Sequence, residues 1–231
     1  MRDYLVIGGS SGIGRGIVEK LSAQGDQVIA THRSGTPADL PGVTWHRHDV
    51  LDERSEPIPL PDKLDGLVYC PGSIQLKPFS RFSVEDFLLD YRLQVTGAVS
   101  ILQKSWPALR KGGAPGIVLF STVAVGTGFP YHSLVASSKG AIEGLTRSLA
   151  AEWAPHVRVN CIAPALTDTP LAASFLNTPE KRESSALRHP LKRVGTPADI
   201  AALACFLLGT DASWITGQVL HADGGMGALR S

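Results

Sequence analysis

The sequence predicts a doubly wound α/β fold, on three observations. Short apolar runs alternate with longer stretches of helical spacing along the 231 residues. The apolar runs are nearly continuous, as expected for strands of a parallel sheet covered on both faces. The first run leads at once into a glycine-rich turn, "GGSSGIG", which opens a helix.

The elements follow in order. "YLVIG" is the first strand, and "RGIVEKLSAQG" has helical spacing with a glycine stop. "QVIAT" and "VTWHR" are the second and third strands. The segment "LDERSEPIPLPDKLDG" holds three prolines and reads as a trimmed crossover, too broken for a normal helix. "LDGLVYC" is the fourth strand, ending in Pro71-Gly72. Residues 83–110 form one long amphipathic helix with Ser83 as cap and an acidic first turn. "GIVLFST" is a strand, residues 133–154 a second long helix, and "VRVNCIAP" the sixth strand. "TPADIAALACFLLG" is a helix with Thr196 as cap and Pro197 at its first position, and "GQVLHADGG" closes the set. One domain over 1–231 is expected, as this length can bury a sizeable core.

Composition narrows the function classes. The net charge of +1 gives no electrostatic reason to expect nucleic acid or an anionic membrane surface as partner. No apolar run approaches the ~18 residues of a membrane helix. Cys70, Cys161 and Cys205 are odd in number and far apart, so buried reduced thiols in a cytoplasmic protein are expected. No signal peptide and no metal site are expected.

The turn Gly8-x-x-x-Gly12-x-Gly14 carries the first chemistry. Glycines let the backbone approach a pyrophosphate closely, and the amides at the helix start hold its negative charge. Ser10, Ser11 and Ile13 complete this binding turn. A tight loop would need glycines too, but the place between strand and helix favours the phosphate.

Taken with "HDV" after the third strand, the Lys139 helix, "RVNCIAP" and the terminal "TGQVLHADGG", this turn resembles the classical short-chain dehydrogenases/reductases over practically the whole chain. The resemblance implies a Rossmann-type fold with a seven-stranded parallel sheet, a nicotinamide cofactor and a homotetramer. The cofactor half is expected at roughly 1–120. The catalytic and substrate half spans roughly 121–231, with a mobile lid near 166–193. The long helices 83–110 and 133–154 suit the tetramer contacts, and "GGMGALRS" is a candidate second contact.

The second strand ends "VIATHRSG", with no carboxylate before Asp39 to hold an adenosine ribose. Arg33 suits the extra phosphate of NADP, although a lone arginine is often only solvated. The resemblance places adenine contacts at Asp49 and Val50, with a capping role for Asp49 as the alternative. The family's Asn-Asn-Ala-Gly after the fourth strand is "YCPG" here, and only Gly72 is kept. "APALTDTP" matches the segment that contacts the nicotinamide amide, through Pro164, Thr167 and Thr169.

In the family a tyrosine moves the proton and a lysine lowers its pKa and holds the ribose. A serine holds the carbonyl, and an asparagine anchors a water relay. These roles fall on Val135, Lys139, Thr122 and Gln94. Val135 has no proton to give. His132 stands seven residues before Lys139, the slot of the tyrosine in enoyl reductases of the same superfamily, and shares a face with it if the helix reaches back that far. It is a candidate acid; the alternative is a helix-start residue facing solvent. Tyr131 is a further candidate, or a pocket wall.

The expected function is NADPH-dependent reduction of a small or acyl-type carbonyl with a non-standard proton donor. The alternatives are reduction of a conjugated C=C bond, as in enoyl reductases, and an NADP-binding subunit without turnover. The run Lys181-Arg182-Glu183 reads as a solvated helix face. Arg182, Arg188, Lys192 and Arg193 could receive an anionic acyl carrier protein, which nothing else in the sequence supports.

Overall fold

The computed structural model describes residues 1–35 and 37–229, so Arg230 and Ser231 of the C-terminal segment lie outside the described residues. Strands β1 (Asp3–Ile7), β2 (Gln27–His32), β3 (Val43–Arg47) and β4 (Gly66–Tyr69) pair with β5 (Gly116–Phe120), β6 (Arg158–Pro164) and β7 (Val219–Ala222) in one sheet. Its order is β3-β2-β1-β4-β5-β6-β7, parallel throughout. This is the doubly wound Rossmann-type sheet, with helices on both faces. The strand order reverses between β1 and β4, which opens a crevice at their carboxyl ends.

The helices are α1 (Gly12–Ala23), α2 (Val84–Tyr91), α3 (Gly97–Leu109), α4 (Val123–Thr127), α5 (Ser133–Trp153), α6 (Pro179–Leu187) and α7 (Pro197–Leu208). Side chains alternate across each strand, so one run of apolar residues feeds two cores. Leu5 and Ile7 pack with Leu102 of α3 and Ile142 of α5, while Tyr4 and Val6 pack with Ile17 of α1 and Ile200 of α7. The proline-rich crossover after β3 contains no helix, and Ile58 and Leu60 cover the first core in its place.

The expected single helix over 83–110 is a correction. The Ser83 cap and acidic turn are present as a capping box, with Ser83 Oγ accepting from the Asp86 amide at 3.1 Å and Asp86 Oδ2 from the Ser83 amide at 3.0 Å. Beyond Tyr91, however, the helix widens into a π turn over Arg92–Thr96 before α3 begins. Tyr69 supplies the physical reason. Its hydroxyl donates to the Leu93 carbonyl at 2.6 Å, competing with the regular helical ladder. A β-carbon on Gly97 would collide with that hydroxyl, so glycine is what admits it. Periodicity alone does not announce such a turn, and it falls on Gln94.

Candidate functional site

The turn after β1 is built for close approach. Gly8 (φ 75°) and Gly12 (φ 52°) lie in the left-handed region that favours glycine, and a β-carbon on Gly14 would strike the Gly8 carbonyl. Thr31 ties the turn to β2: its Oγ1 accepts from the Gly8 amide and its carbonyl from the Gly9 amide, both at 2.9 Å. Ser11 precedes α1 without capping it, and the first turn of α1 has no acidic residue. The helix start therefore retains its positive dipole end for an anion. Ser10, Ser11, Gly12, Ile13 and Gly14 all line one cleft of about 870 Å³.

Arg33 and Ser34 line the same cleft beyond β2, with Val50 and Asp49 from the segment after β3. Asp49 is the one acidic residue on its wall among the described residues. Its Oδ1 accepts from the Leu51 amide at 3.0 Å, so it holds its own turn. Gly72, Pro164, Thr167 and Thr169 line the cleft further along. The Thr169 methyl lies 3.2 Å from where a β-carbon on Gly12 would sit, which brings the segment after β6 against the glycine turn. The cleft thus has the open amides of the glycine turn on its wall, the Arg33 guanidinium toward one end and Lys139 toward the other.

At the Lys139 end the cleft gathers Thr122, Gln94, His132, Tyr131 and Val135. Thr122 caps α4, its Oγ1 accepting from the Ala124 amide at 3.3 Å, which leaves its own proton free to donate. Val135 is only 5% exposed and sits one helical turn before Lys139. Burial lowers the Lys139 ammonium from its ordinary 10.5 to about 8, against the raising influence of Cys161, Asp90 and Cys70. Burial pushes both thiols up to about 12, so they are neutral at pH 7 and Asp90 is the anionic member of the three.

His132 departs from the expected helical face. Helix α5 starts at Ser133, and His132 stands before it with φ −97° and ψ 8°. A ring nitrogen, Nδ1, lies 2.7 Å from the Pro130 carbonyl. A carbonyl only accepts, so Nδ1 carries the hydrogen and Nε2 is the ring nitrogen left without a partner in this contact. Tyr131 has φ 69° and is 59% exposed, placing it at the rim. Cys70 is a second departure: it is half-buried and lines the cleft, whereas Cys161 and Cys205 are buried as expected.

The segment after β6 lines the cleft through a 3-10 turn (Pro170–Phe175), and α6 follows it in the chain. Two of the four basic residues considered for an anionic carrier are already engaged. Arg182 pairs with Asp168 at 2.7 Å and Arg193 with Asp199 at 2.6 Å. Sequence reasoning missed Leu76, Phe175 and Met226 on the apolar wall, which carry no motif. It also missed Ser73 and Asp90, although Asp90 lies one helical turn before Gln94.

Comparison with known proteins gives a consistent picture. A protein-family model described as "Enoyl-(Acyl carrier protein) reductase" matches residues 48–227. A tropinone reductase homologue of Arabidopsis thaliana is 35% identical over 239 residues, covering 96% of this chain and 91% of the relative. The solved aldohexose dehydrogenase of Thermoplasma acidophilum superposes with a TM-score of 0.88 at 26% identity, over 99% of this chain and 95% of that one. A structure of ElxO with NADP bound superposes with a TM-score of 0.84 at 25% identity, over 98% and 99%.

Proposed function

This chain belongs to the classical short-chain dehydrogenase/reductase family, and from that premise we propose that it is an NADP(H)-dependent reductase of a small or acyl-type carbonyl, with a proton donor other than tyrosine. The observation that carries the reading is the cleft itself. It joins an anion-binding helix start, Arg33 and Ser34 at one end, and Lys139, Thr122 and Gln94 at the other. A bound nicotinamide would supply the two-electron reduction. Lys139 holds the ribose, and Thr122 donates its free hydroxyl proton to the substrate oxygen. The proton comes from His132 Nε2, from Tyr131 or from a relayed water. Pro164, Thr167 and Thr169 hold the nicotinamide end, and residues 166–193 act as a lid.

The choice of NADP rests on Arg33 and Ser34 and on the absence of a carboxylate at the end of β2; the NADP-bound ElxO neighbour is in keeping with it. Titrating protein fluorescence with NADPH and NADH is expected to show tighter binding of NADPH. Arg33→Ala is expected to weaken NADPH about tenfold or more, since one charge-assisted contact contributes ~1.5–3 kcal/mol. Tighter NADH binding by the parent overturns the assignment.

Substrate-dependent NADPH consumption, followed by product analysis, tests the reaction. Reduction of C=C rather than C=O would shift the reading to the enoyl type, which the family description favours as second choice. No turnover with any carbonyl or enoyl substrate would leave a cofactor-binding protein.

A homotetramer is also proposed. Val84, Leu88 and Leu89 on α2 are 69%, 59% and 51% exposed, an apolar surface that suits burial against another copy. Light scattering at micromolar concentration is expected to give four times the 24.5 kDa chain mass. A monomer mass would rule it out.

A further inference from the structure

A hydrogen-bonded polar chain runs from Ser73 through Asp90 of α2 to Gln94 of the π turn. Asp90 is 3% exposed and Gln94 is 1% exposed, so neither is solvated. Gln94 Nε2 donates to both carboxylate oxygens of Asp90 at 2.8 Å. Ser73 Oγ, on the cleft wall, donates to Asp90 Oδ1. A carboxylate only accepts hydrogen bonds, so Asp90 dictates which way the Gln94 amide is turned. The NH₂ faces Asp90, and Oε1 must face away from it. Gln94 Oε1 is buried with no hydrogen-bond partner among the described residues. It lies 3.5 Å, and Lys139 Nζ 3.8 Å, from the position that a β-carbon on Gly72 would take. The amide oxygen and the ammonium therefore converge on the same small space beside Gly72.

We propose that Asp90 is a positioning residue for this site: it orients the Gln94 amide oxygen toward Lys139 and supplies the buried negative charge that holds Lys139 as an ammonium. The π turn contributes by setting Gln94 inward just after Asp90, and Ser73 fixes the carboxylate from the cleft side. The groups whose charge bears on the ammonium are Cys161 from β6, Asp90 from α2 and Cys70 following β4. Both thiols are neutral at pH 7, which leaves Asp90 as the counter-charge. The link to cofactor binding rests on the reading that Lys139 holds the ribose; the effect on Lys139 itself does not.

The test is the titration of Lys139 in the free protein, read from its side-chain Cε–Hε NMR resonance and assigned by its loss in Lys139→Met. Asp90→Asn keeps the shape of the side chain and removes its charge. The Lys139 midpoint is expected to fall by about half a unit to one unit. Asp90→Glu is expected to restore it at least in part, which a purely structural role would not do. A midpoint that stays in place in folded Asp90→Asn overturns the proposal. Should Asp90→Asn fail to fold, Ser73→Ala answers the same question. With one competing donor gone from the carboxylate, the midpoint is expected to rise by a few tenths of a unit; no change overturns the proposal. A parallel titration with NADPH and NADH separates the two readings. If Lys139 shifts as expected but the parent binds neither dinucleotide, the proposed function fails and the role of Asp90 stands.

Discussion

Lys139→Met is expected to unfold at a higher temperature than the parent at pH 7 and to lose nicotinamide dinucleotide binding by about 10²-fold or more. The two effects have one cause. Burial lowers the Lys139 ammonium to about 8 in the folded chain, against 10.5 for a free side chain. Between those values the unfolded chain binds more protons than the folded one, so stability rises as pH rises through about 8 toward 10.5. Below pH 8 the full cost of keeping the charge buried is present. Methionine fills similar volume without that charge, and Asp90 keeps its donors from Gln94 and Ser73. The expected gain is about 1–2 kcal/mol, or roughly 2–8 °C for a chain of this size. It is expected to shrink as the pH is raised toward 10.5, where the parent lysine is neutral too. The binding loss follows from removing charge-assisted hydrogen bonds of ~1.5–3 kcal/mol each. Scanning calorimetry across pH and fluorescence titration check the two halves. A Lys139→Met protein less stable than the parent at pH 7 would show that the ammonium is stabilised by Asp90 more than it is opposed by burial.

This opposition between stability and binding is the kind of local cost that sequence patterns only partly reveal. The strands and the long helix α5 were legible because burial on two faces writes itself as apolar runs, and each face repeats at a fixed period. The glycine turn was legible because backbone approach admits one residue type at Gly14. Thr122, Gln94 and the pair Val135 and Lys139 on α5 reach one cleft from three parts of the chain, and motif order places them there. The π turn was not legible, since it depends on a tyrosine from β4 meeting a glycine in α3. His132 was placed by counting back along a helix that stops one residue short of it. Asp90 reads on its own as one more acid on an amphipathic helix. Only its burial and the orientation of Gln94 mark it out.

Val135→Tyr is expected to raise or create carbonyl reductase activity on simple ketones or 3-oxoacyl esters. Val135 is nearly buried yet lines a cleft of about 870 Å³, so a phenol has room to extend into the cavity rather than into the core. One helical turn separates it from Lys139, whose positive charge favours the phenolate and so lowers the phenol pKa. The ring would then stand across the cleft from Thr122, within reach of an oxygen that Thr122 polarises. If the parent is a reductase, it takes its proton from elsewhere. If that source is His132, His132→Ala lowers the natural activity about 10²-fold. Activity unchanged in His132→Ala clears histidine and leaves Tyr131 or water. A parent inert toward every substrate, beside a Val135→Tyr protein that turns over, would make the natural chain a cofactor-binding protein with an intact reductase scaffold. A folded Val135→Tyr protein that binds NADPH and stays inert would place the block at Gln94, whose longer stem and hold on Asp90 alter the relay that the family builds on asparagine.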